Sequence, residues 1–310
     1  MDPITHTMLG ATLAQTGLKR RTALGTATLV IGANLPDVDV LAYFWGGEAA
    51  VWFRRGPTHG VLALVLLPLI LTGLILLWDR SVRRGSRAQR GAVVPGQVLL
   101  LAAIAVATHP LLDFLNSYGM RWLAPFSSTW FYGDTLFIID PWVWMMLAAG
   151  LWLARKDVRG PKLALVVASA YVAIMAASNL AARSLVRRTL DAEGMAVERM
   201  MTAPLAATPF ERWVVVQDTS GYHVGVFDWL ARPAFELSSL PYDGQLPGDV
   251  GILAAQEPKA IRFLSWARFP FYVARERGWH YELHVGDARY GVDPFGSWAS
   301  THMSLRRQIP

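Results

Sequence analysis

The chain has 310 residues, of which 53% are hydrophobic and only 17% are charged, and its formal net charge is +6. Its arginines and lysines stand in short clusters between apolar runs. This distribution is typical of membrane topology, not of a nucleic-acid surface, so no nucleic-acid partner is expected. The chain contains no cysteine, which excludes disulfides and thiolate metal sites. Any metal must therefore be held by histidine, aspartate or glutamate.

Two short segments at the start of the chain are expected to form a helical hairpin. Residues 3–17 are rich in small residues, which let helices pack closely in lipid. Residues 22–33 are expected to form the second helix, after a basic turn. At ~1.5 Å per residue, His6 and Asp37 both lie roughly 20 Å from that turn, so the hairpin would bring them together. The N-terminus lacks a basic n-region, so no cleavable signal peptide is expected.

The stretch 34–39 places an amide and two carboxylates between apolar runs, as Asn34, Asp37 and Asp39. Ionisable groups in such surroundings are costly and by default mark a functional site. Pro36 interrupts a regular helix because it lacks a backbone donor and pushes Leu35 out of helical geometry. We expect a helix break that gathers carboxylates around a cation. The alternative is a loop whose aspartates cap helices.

Four longer apolar segments follow, so the chain is predicted to be an α-helical integral membrane bundle of about six membrane segments. The arginine-rich loop 79–97 and the basic loop 155–162 are expected on the cytoplasmic side. Both termini would then lie outside, and the polar residues of interest would gather at the external end of the bundle. The four predicted longer segments are 61–78, 98–115, 136–154 and 163–182.

The last third of the chain has a different pattern. Residues 183–204 are polar and are predicted to form a helical connector after a membrane domain at 1–182. Strand-like runs at 213–217 and 222–227 flank the turn 218–221, and 279–285 predicts a further strand. We therefore predict an external α+β or mostly β domain at 205–310.

Histidines and aspartates near the predicted external face are candidate metal ligands. His109 and Asp113 are spaced i, i+4, with Asn116 at i+7, so the three share one face of a helix. Their nitrogen and oxygen donors suit Zn²⁺, Mn²⁺ or Fe²⁺, with zinc favoured and one or two ions possible. A polar contact between packed helices is the alternative. The full set of ligand candidates is His6, Asp37, Asp39, His59, His109 and Asp113.

Further residues have supporting or catalytic roles in this hypothesis. Asn34 would orient Asp37 or take part in catalysis, and Asp39 would be either a ligand or a base. Asn116 would support the ligands, while Asp140 would either cap a helix or enter the site. Arg54 and Arg55 depart from the positive-inside trend, and we expect them to bind an anionic substrate. Ordinary scatter in the composition of a short loop is the alternative for these arginines.

Four motifs carry a resemblance to a known family. They are the stretches 1–6, 34–39, 55–59 and 109–113, followed by Asn116 and Gly119. Together they resemble the YdjM-type inner-membrane family over residues 1–182. That family is described as membrane-bound, predicted metal-dependent hydrolases, associated in some bacteria with LexA regulation. The resemblance implies a location in the bacterial inner membrane and hydrolysis with a metal.

The order of the motifs is also similar to the first part of the zinc-dependent phospholipase C and nuclease pattern. This similarity implies phosphoester hydrolysis at a zinc cluster. The chain departs from the pattern because no later His-x-x-x-Glu pair follows and the scaffold is transmembrane, which argues against a full three-zinc site.

The leading hypothesis is a membrane-bound hydrolase that attacks a phosphoester or lipid-linked substrate with a metal-activated water. The substrate would be a membrane lipid or a lipid-linked compound. The alternative is a non-catalytic membrane stress or binding protein whose polar cluster packs helices. Ion transport is disfavoured because residues 61–78 and 163–177 are apolar throughout. The sequence predicts no particular oligomeric state.

Overall fold

The computed structural model describes the chain except for residues 47–49, 51–52, 85–90, 241–245, 247, 296–297 and 307–310. The middle of the predicted cytoplasmic loop 79–97 therefore lies outside the described residues. The Cα positions divide into two compact units. The first comprises Met1–Leu41 and Phe53–Ala176, and the second consists mainly of the chain from Ala177 onward.

The first unit is helical. Pro36 lies where α-helix gives way to a 3-10 helix, so the predicted break in regular helix is present, but the chain stays helical through Trp45. The 3-10 helix and the last helix each continue into the second unit. In chain order the helices are α1 (Pro3–Gln15), α2 (Gly25–Asn34), the 3-10 helix (Leu35–Trp45), α3 (Val61–Ser81), α4 (Pro95–Phe114), α5 (Pro141–Leu153) and α6 (Arg159–Ala192).

Among the described residues, four helical segments are long and apolar enough to cross a membrane. The predicted count of about six is not supported, because α1 and α5 have 13 residues each. At ~1.5 Å per residue such a helix is about 20 Å long, whereas the hydrocarbon core is about 30 Å thick. The predicted external position of the termini depended on six spans and stays a prediction. The four candidate spans are Gly25–Trp45, Val61–Ser81, Pro95–Phe114 and Arg159–Ala192.

Small residues let α1, α2 and α4 approach closely. A Cβ atom on Gly10 would lie 2.7 Å from the carbonyl oxygen of Leu29, and one on Gly32 would lie 2.8 Å from Cβ of Ala105. Small residues in membrane helices allow neighbouring backbones to approach this closely. The α1–α2 hairpin brings the start of α1 beside the end of α2, as predicted. The core between these helices consists of Ala14, Leu29, Ala33, Leu101 and Ala105.

The second unit contains two antiparallel sheets. The predicted strand runs 213–217, 222–227 and 279–285 lie in three of the observed strands or at their edge. The segment 183–204, predicted as a helical connector, is helical only through Ala192, and its last six residues form a strand. The first sheet contains β1 (Arg199–Pro204), β2 (Glu211–Asp218), β3 (Gly221–Asp228) and β4 (Phe235–Ser239), and the second contains β5 (Pro270–Arg277), β6 (His280–Asp287) and β7 (Ser300–Arg306).

Helical elements accompany both sheets. The C-terminal end of α6 packs on the first sheet through Ala182, Val186 and Leu190, which are buried in one cluster with Val214 and Phe227. Two short helices stand between the sheets in the chain, α7 (Gly248–Ala254) and α8 (Pro258–Trp266). The predicted mixture of helices and strands is thus present in the C-terminal region.

Candidate metal centre

Four side chains of the first unit converge on one point. Asp37 comes from the 3-10 helix, His59 lies just before α3, and His109 and Asp113 stand one turn apart on α4. Each offers one ligand atom, and these atoms all lie within 4.8 Å of one another. Three of the residues are buried and Asp37 is partly exposed. The structure therefore brings together four of the six predicted ligand candidates, and this group could hold a metal ion.

The distances between the donor atoms suit a small cation. The Nε2 atoms of His59 and His109 are 3.1 Å apart. Asp37 Oδ1 lies 3.9 Å and 3.7 Å from these two nitrogens, and Asp113 Oδ2 lies 3.5 Å and 3.8 Å from them. A tetrahedral zinc ion with bonds of about 2.0–2.2 Å separates its ligands by about 3.3–3.6 Å. The observed separations of 3.1–3.9 Å scatter around these values, so the four donors could hold one small ion after slight adjustment.

The two imidazole rings are held through their other nitrogens. Nδ1 of His109 lies 2.6 Å from the carbonyl oxygen of Ala33, which can only accept, so this nitrogen carries the hydrogen. Nδ1 of His59 lies 3.0 Å from the Thr58 hydroxyl and 3.4 Å from Asp39 Oδ2. These partners favour a hydrogen on Nδ1 here too. In the neutral rings both Nε2 atoms then direct lone pairs toward the same space, an arrangement that a cation stabilises.

Asp39 lies behind His59 and outside the four-donor group. It is 1% exposed, and its Oδ2 accepts the backbone N–H of Arg55 at 2.8 Å and the Thr58 hydroxyl at 3.3 Å. A carboxylate on the far nitrogen of a metal-binding histidine fixes the ring and raises its basicity. The position of Asp39 fits this orienting role better than the predicted role of ligand or base.

His6 touches the site without joining the four-donor group. Its Nε2 lies 3.2 Å from Asp113 Oδ1, and its ring stacks on that of His109 with centroids 3.8 Å apart. The amino group of Met1 contacts the same oxygen of Asp113. One carboxylate oxygen of Asp113 thus faces the start of the chain, while the other faces His59 and His109.

The two predicted substrate-binding arginines differ in their surroundings. Arg55 is 2% exposed, and its Nε lies 2.9 Å from Asp113 Oδ2. It also donates to the side-chain oxygen of Asn116 at 2.8 Å, so Asn116 supports the site through Arg55. This buried ion pair explains why the loop contains a basic residue, whichever side of the membrane the loop occupies. The side chain of Arg54 is 26% exposed and lies 3.4 Å from Asp37.

Asn34 lies in contacts other than those predicted, whereas Asp140 caps a helix, which is one of the two roles expected for it. The amide of Asn34 donates to the Thr7 hydroxyl at 3.1 Å and to the Val30 carbonyl at 2.9 Å, so it ties α1 to α2. Asp140 caps α5 by accepting the N–H groups of residues 142 and 143, and the Tyr171 hydroxyl donates to it at 3.2 Å. Helix capping, the alternative for Asp140, describes its contacts better than a role beside the metal ligands.

Two contributors were missed by reasoning from sequence. The hydroxyl of Thr58 lies between Asp39 and His59, and its place next to a candidate histidine was an available signal. The carbonyl of Ala33 orients His109, and a backbone group of this kind leaves no trace in a sequence.

Comparisons with known proteins point to one family. The model of a family described as YdjM inner membrane protein matches residues 1–182, which contain every donor of the site. A Bacillus subtilis (strain 168) protein, named Uncharacterized protein YfhP, is 25% identical over 134 residues. The aligned part covers 43% of this chain and only 37% of that relative's length. No solved structure matches the chain.

Proposed function

Because this chain belongs to the YdjM inner membrane protein family, we propose that it is a membrane-bound hydrolase whose buried histidines and aspartates hold a divalent metal. The family and the apolar helices support a location in the inner membrane. The facing Nε2 atoms of His59 and His109, 3.1 Å apart with two carboxylate oxygens beside them, are the observation that carries the proposal.

Zinc is the metal that this donor set favours. Two imidazoles and two carboxylates without a thiolate are compatible with Zn²⁺, Mn²⁺ or Fe²⁺, and a group of only four donors suits zinc, which prefers four-coordination. Their convergence on one point supports a single ion. A zinc ion held by all four donors would need a fifth coordination position, or release of the partly exposed Asp37, to lower the pKa of a bound water and polarise a phosphoryl oxygen.

The residues around the donors have distinct tasks in this proposal. Asp39 and the Ala33 carbonyl hold the two rings with Nε2 toward the metal position. Arg55 balances part of the negative charge of Asp113. Asp37 is the partly exposed member of the group, so substrate approaches from its side. Arg54 lies there and would pair with a phosphate oxygen of the substrate.

An apolar cavity supports a lipid-linked substrate. It has a volume of about 350 Å³ and lies in the first unit. Its wall includes Thr5 and Leu112, the neighbours in sequence of His6 and Asp113. The remaining wall is mostly aliphatic and includes Leu9, Leu147 and Val172. An acyl chain in this cavity would place a lipid headgroup near the polar cluster, and such apolar pockets with a few polar groups are typical of ligand sites.

Turnover by protein purified in detergent tests this function. The substrates are phosphatidic acid, phosphatidylglycerol and bis(p-nitrophenyl) phosphate, each with added zinc. We expect metal-dependent hydrolysis of the lipid phosphoesters, loss of activity in His109→Ala, and retention in Arg188→Gln, a change of an exposed residue on α6. Absence of turnover in the wild type, or equal turnover in His109→Ala, would overturn the proposal.

One observation favours a second candidate, a non-catalytic membrane protein. Asp113 is already neutralised by Arg55 at 2.9 Å and contacts the Met1 amino group. The buried charge of Asp113 is therefore balanced without a metal, as in a cluster that packs helices. In this case Asp113→Asn would lower the yield of folded protein, and the wild type would bind no divalent metal.

A further inference from the structure

A second cavity, lined by several arginines, lies entirely within the second unit. It has a volume of about 490 Å³ and lies between the C-terminal part of α6, the start of β1 and the residues before β5. Four arginines line it, Arg183, Arg187, Arg199 and Arg268, against one lining glutamate, Glu198. The wall of the cavity is therefore strongly cationic.

Two of these arginines are fixed near one aromatic ring. Arg199 donates through Nε to the side chain of Gln217 at 2.7 Å and through Nη1 to the carbonyl oxygen of Arg268 at 3.0 Å. The guanidinium carbons of Arg199 and Arg268 lie 5.4 Å and 5.3 Å from the centre of the Phe269 ring. Phe269 is 1% exposed, so its ring is held in place by the surrounding residues. Both cationic groups thus lie around one buried ring, where a bound anion would stabilise them.

The other two arginines come from one face of α6. Arg183 and Arg187 are four residues apart, so their side chains project over the same side of the helix. Arg187 pairs with Asp191 at 3.1 Å, but both side chains are about half exposed, and ion pairs of that kind are weak. Within the described part of the chain, no carboxylate lies in an ion pair with Arg183. The helix thus presents cationic groups to the cavity that a ligand can engage.

The position of the cavity along α6 points to the membrane surface. The helix has 34 residues, about 51 Å at ~1.5 Å per residue, which exceeds a hydrocarbon core of about 30 Å. Its apolar part ends just before Arg183. Leu180, one turn earlier, also lines the cavity and is 68% exposed. An apolar residue followed by arginines matches the boundary between acyl chains and phosphates.

We propose that this cavity binds a phosphate-bearing anion, and that the headgroup of an anionic phospholipid is its source. A planar guanidinium group can bind two oxygens of one phosphate at the same time. Four such groups line this cavity, which is large enough for a headgroup. The site is separate in sequence from the histidine and aspartate donors and does not depend on hydrolysis.

Lipid binding by the full chain in neutral detergent tests this proposal. Thermal unfolding is followed while phosphatidylglycerol, phosphatidylcholine or soluble glycerol phosphate is titrated. The double variant Arg183→Gln/Arg187→Gln removes two lining charges. Arg188→Gln is the matched control, because Arg188 is an exposed neighbour on the same helix that does not line the cavity. Arg183→Gln alone replaces the double variant if the latter does not fold.

We expect phosphatidylglycerol to stabilise the wild type more than phosphatidylcholine does. Its apparent affinity should fall roughly 10-fold in the double variant, as for loss of charge-assisted hydrogen bonds, and stay unchanged in Arg188→Gln. Equal effects of the two lipids on the wild type, or equal losses in the double variant and the control, would overturn the site. Equal stabilisation by glycerol phosphate would support the anion site and overturn the membrane lipid as its source.

Discussion

The substitution Asp39→Asn separates an orienting carboxylate from a direct metal ligand. It keeps the shape of the side chain and removes its charge. The atom 3.4 Å from Nδ1 of His59 becomes either an uncharged amide oxygen or an amide nitrogen, which cannot accept a hydrogen bond. Loss of such a partner typically lowers metal affinity about 10- to 100-fold, or about 1.4–2.7 kcal/mol. Removal of a direct donor in His109→Ala should cost more. The expected order of zinc affinity is wild type, then Asp39→Asn, then His109→Ala.

Competition with a chromophoric chelator at constant pH measures these affinities on detergent-purified protein. Asp140→Asn is the matched control, because Asp140 is another buried carboxylate, 4% exposed, that caps α5. It should bind zinc as the wild type does. An affinity of Asp39→Asn equal to that of the wild type would refute the orienting role. An affinity as low as that of His109→Ala would make Asp39 a direct ligand.

Three further outcomes are expected from the packing and the site. Gly32→Ala should destabilise the protein by about 1–3 kcal/mol through overpacking, because the added Cβ would lie 2.8 Å from that of Ala105. Gly73→Ala, which has open space around it, should not destabilise the protein. Equal unfolding temperatures of the two variants would contradict the close packing at Gly32. Asp140→Ala should cost about 1 kcal/mol through loss of the α5 cap and leave metal content unchanged; a parallel loss of metal would place Asp140 in the site. Removal of the metal by a chelator should lower the unfolding temperature of the wild type but not of His109→Ala. The reason is that a ligand at 100 times its Kd stabilises the folded protein by about 2.7 kcal/mol. An equal shift of the unfolding temperature in both proteins would exclude the four-donor group as its cause.

The sequence predicted much of the helical unit and the residue types of the four-donor group. The i, i+4 spacing of His109 and Asp113 placed two donors on one helix face, and the hairpin argument placed Asp37 near the start of α1. Both depend on local periodicity, which a sequence displays directly. The strands around the turn 218–221 were predicted for the same reason.

Three-dimensional contacts decided the remaining assignments. Asp37 belongs to the four-donor group, whereas Asp39 lies behind His59. No rule of sequence spacing distinguishes these two aspartates. Arg55 reads as a surface cation in a polar loop, yet it is buried against Asp113. The number of spans was overestimated because apolar composition was taken to indicate spans at α1 and α5, which have only 13 residues each.

The metal content of the purified protein is the most direct test of the metal centre. Protein purified without chelators, incubated with zinc and desalted is measured by inductively coupled plasma mass spectrometry, beside His59→Ala and His109→Ala. We expect about one zinc ion per chain in the wild type and almost none in either variant. A wild type without bound metal, or variants that retain as much zinc as the wild type, would contradict a metal site formed by Asp37, His59, His109 and Asp113.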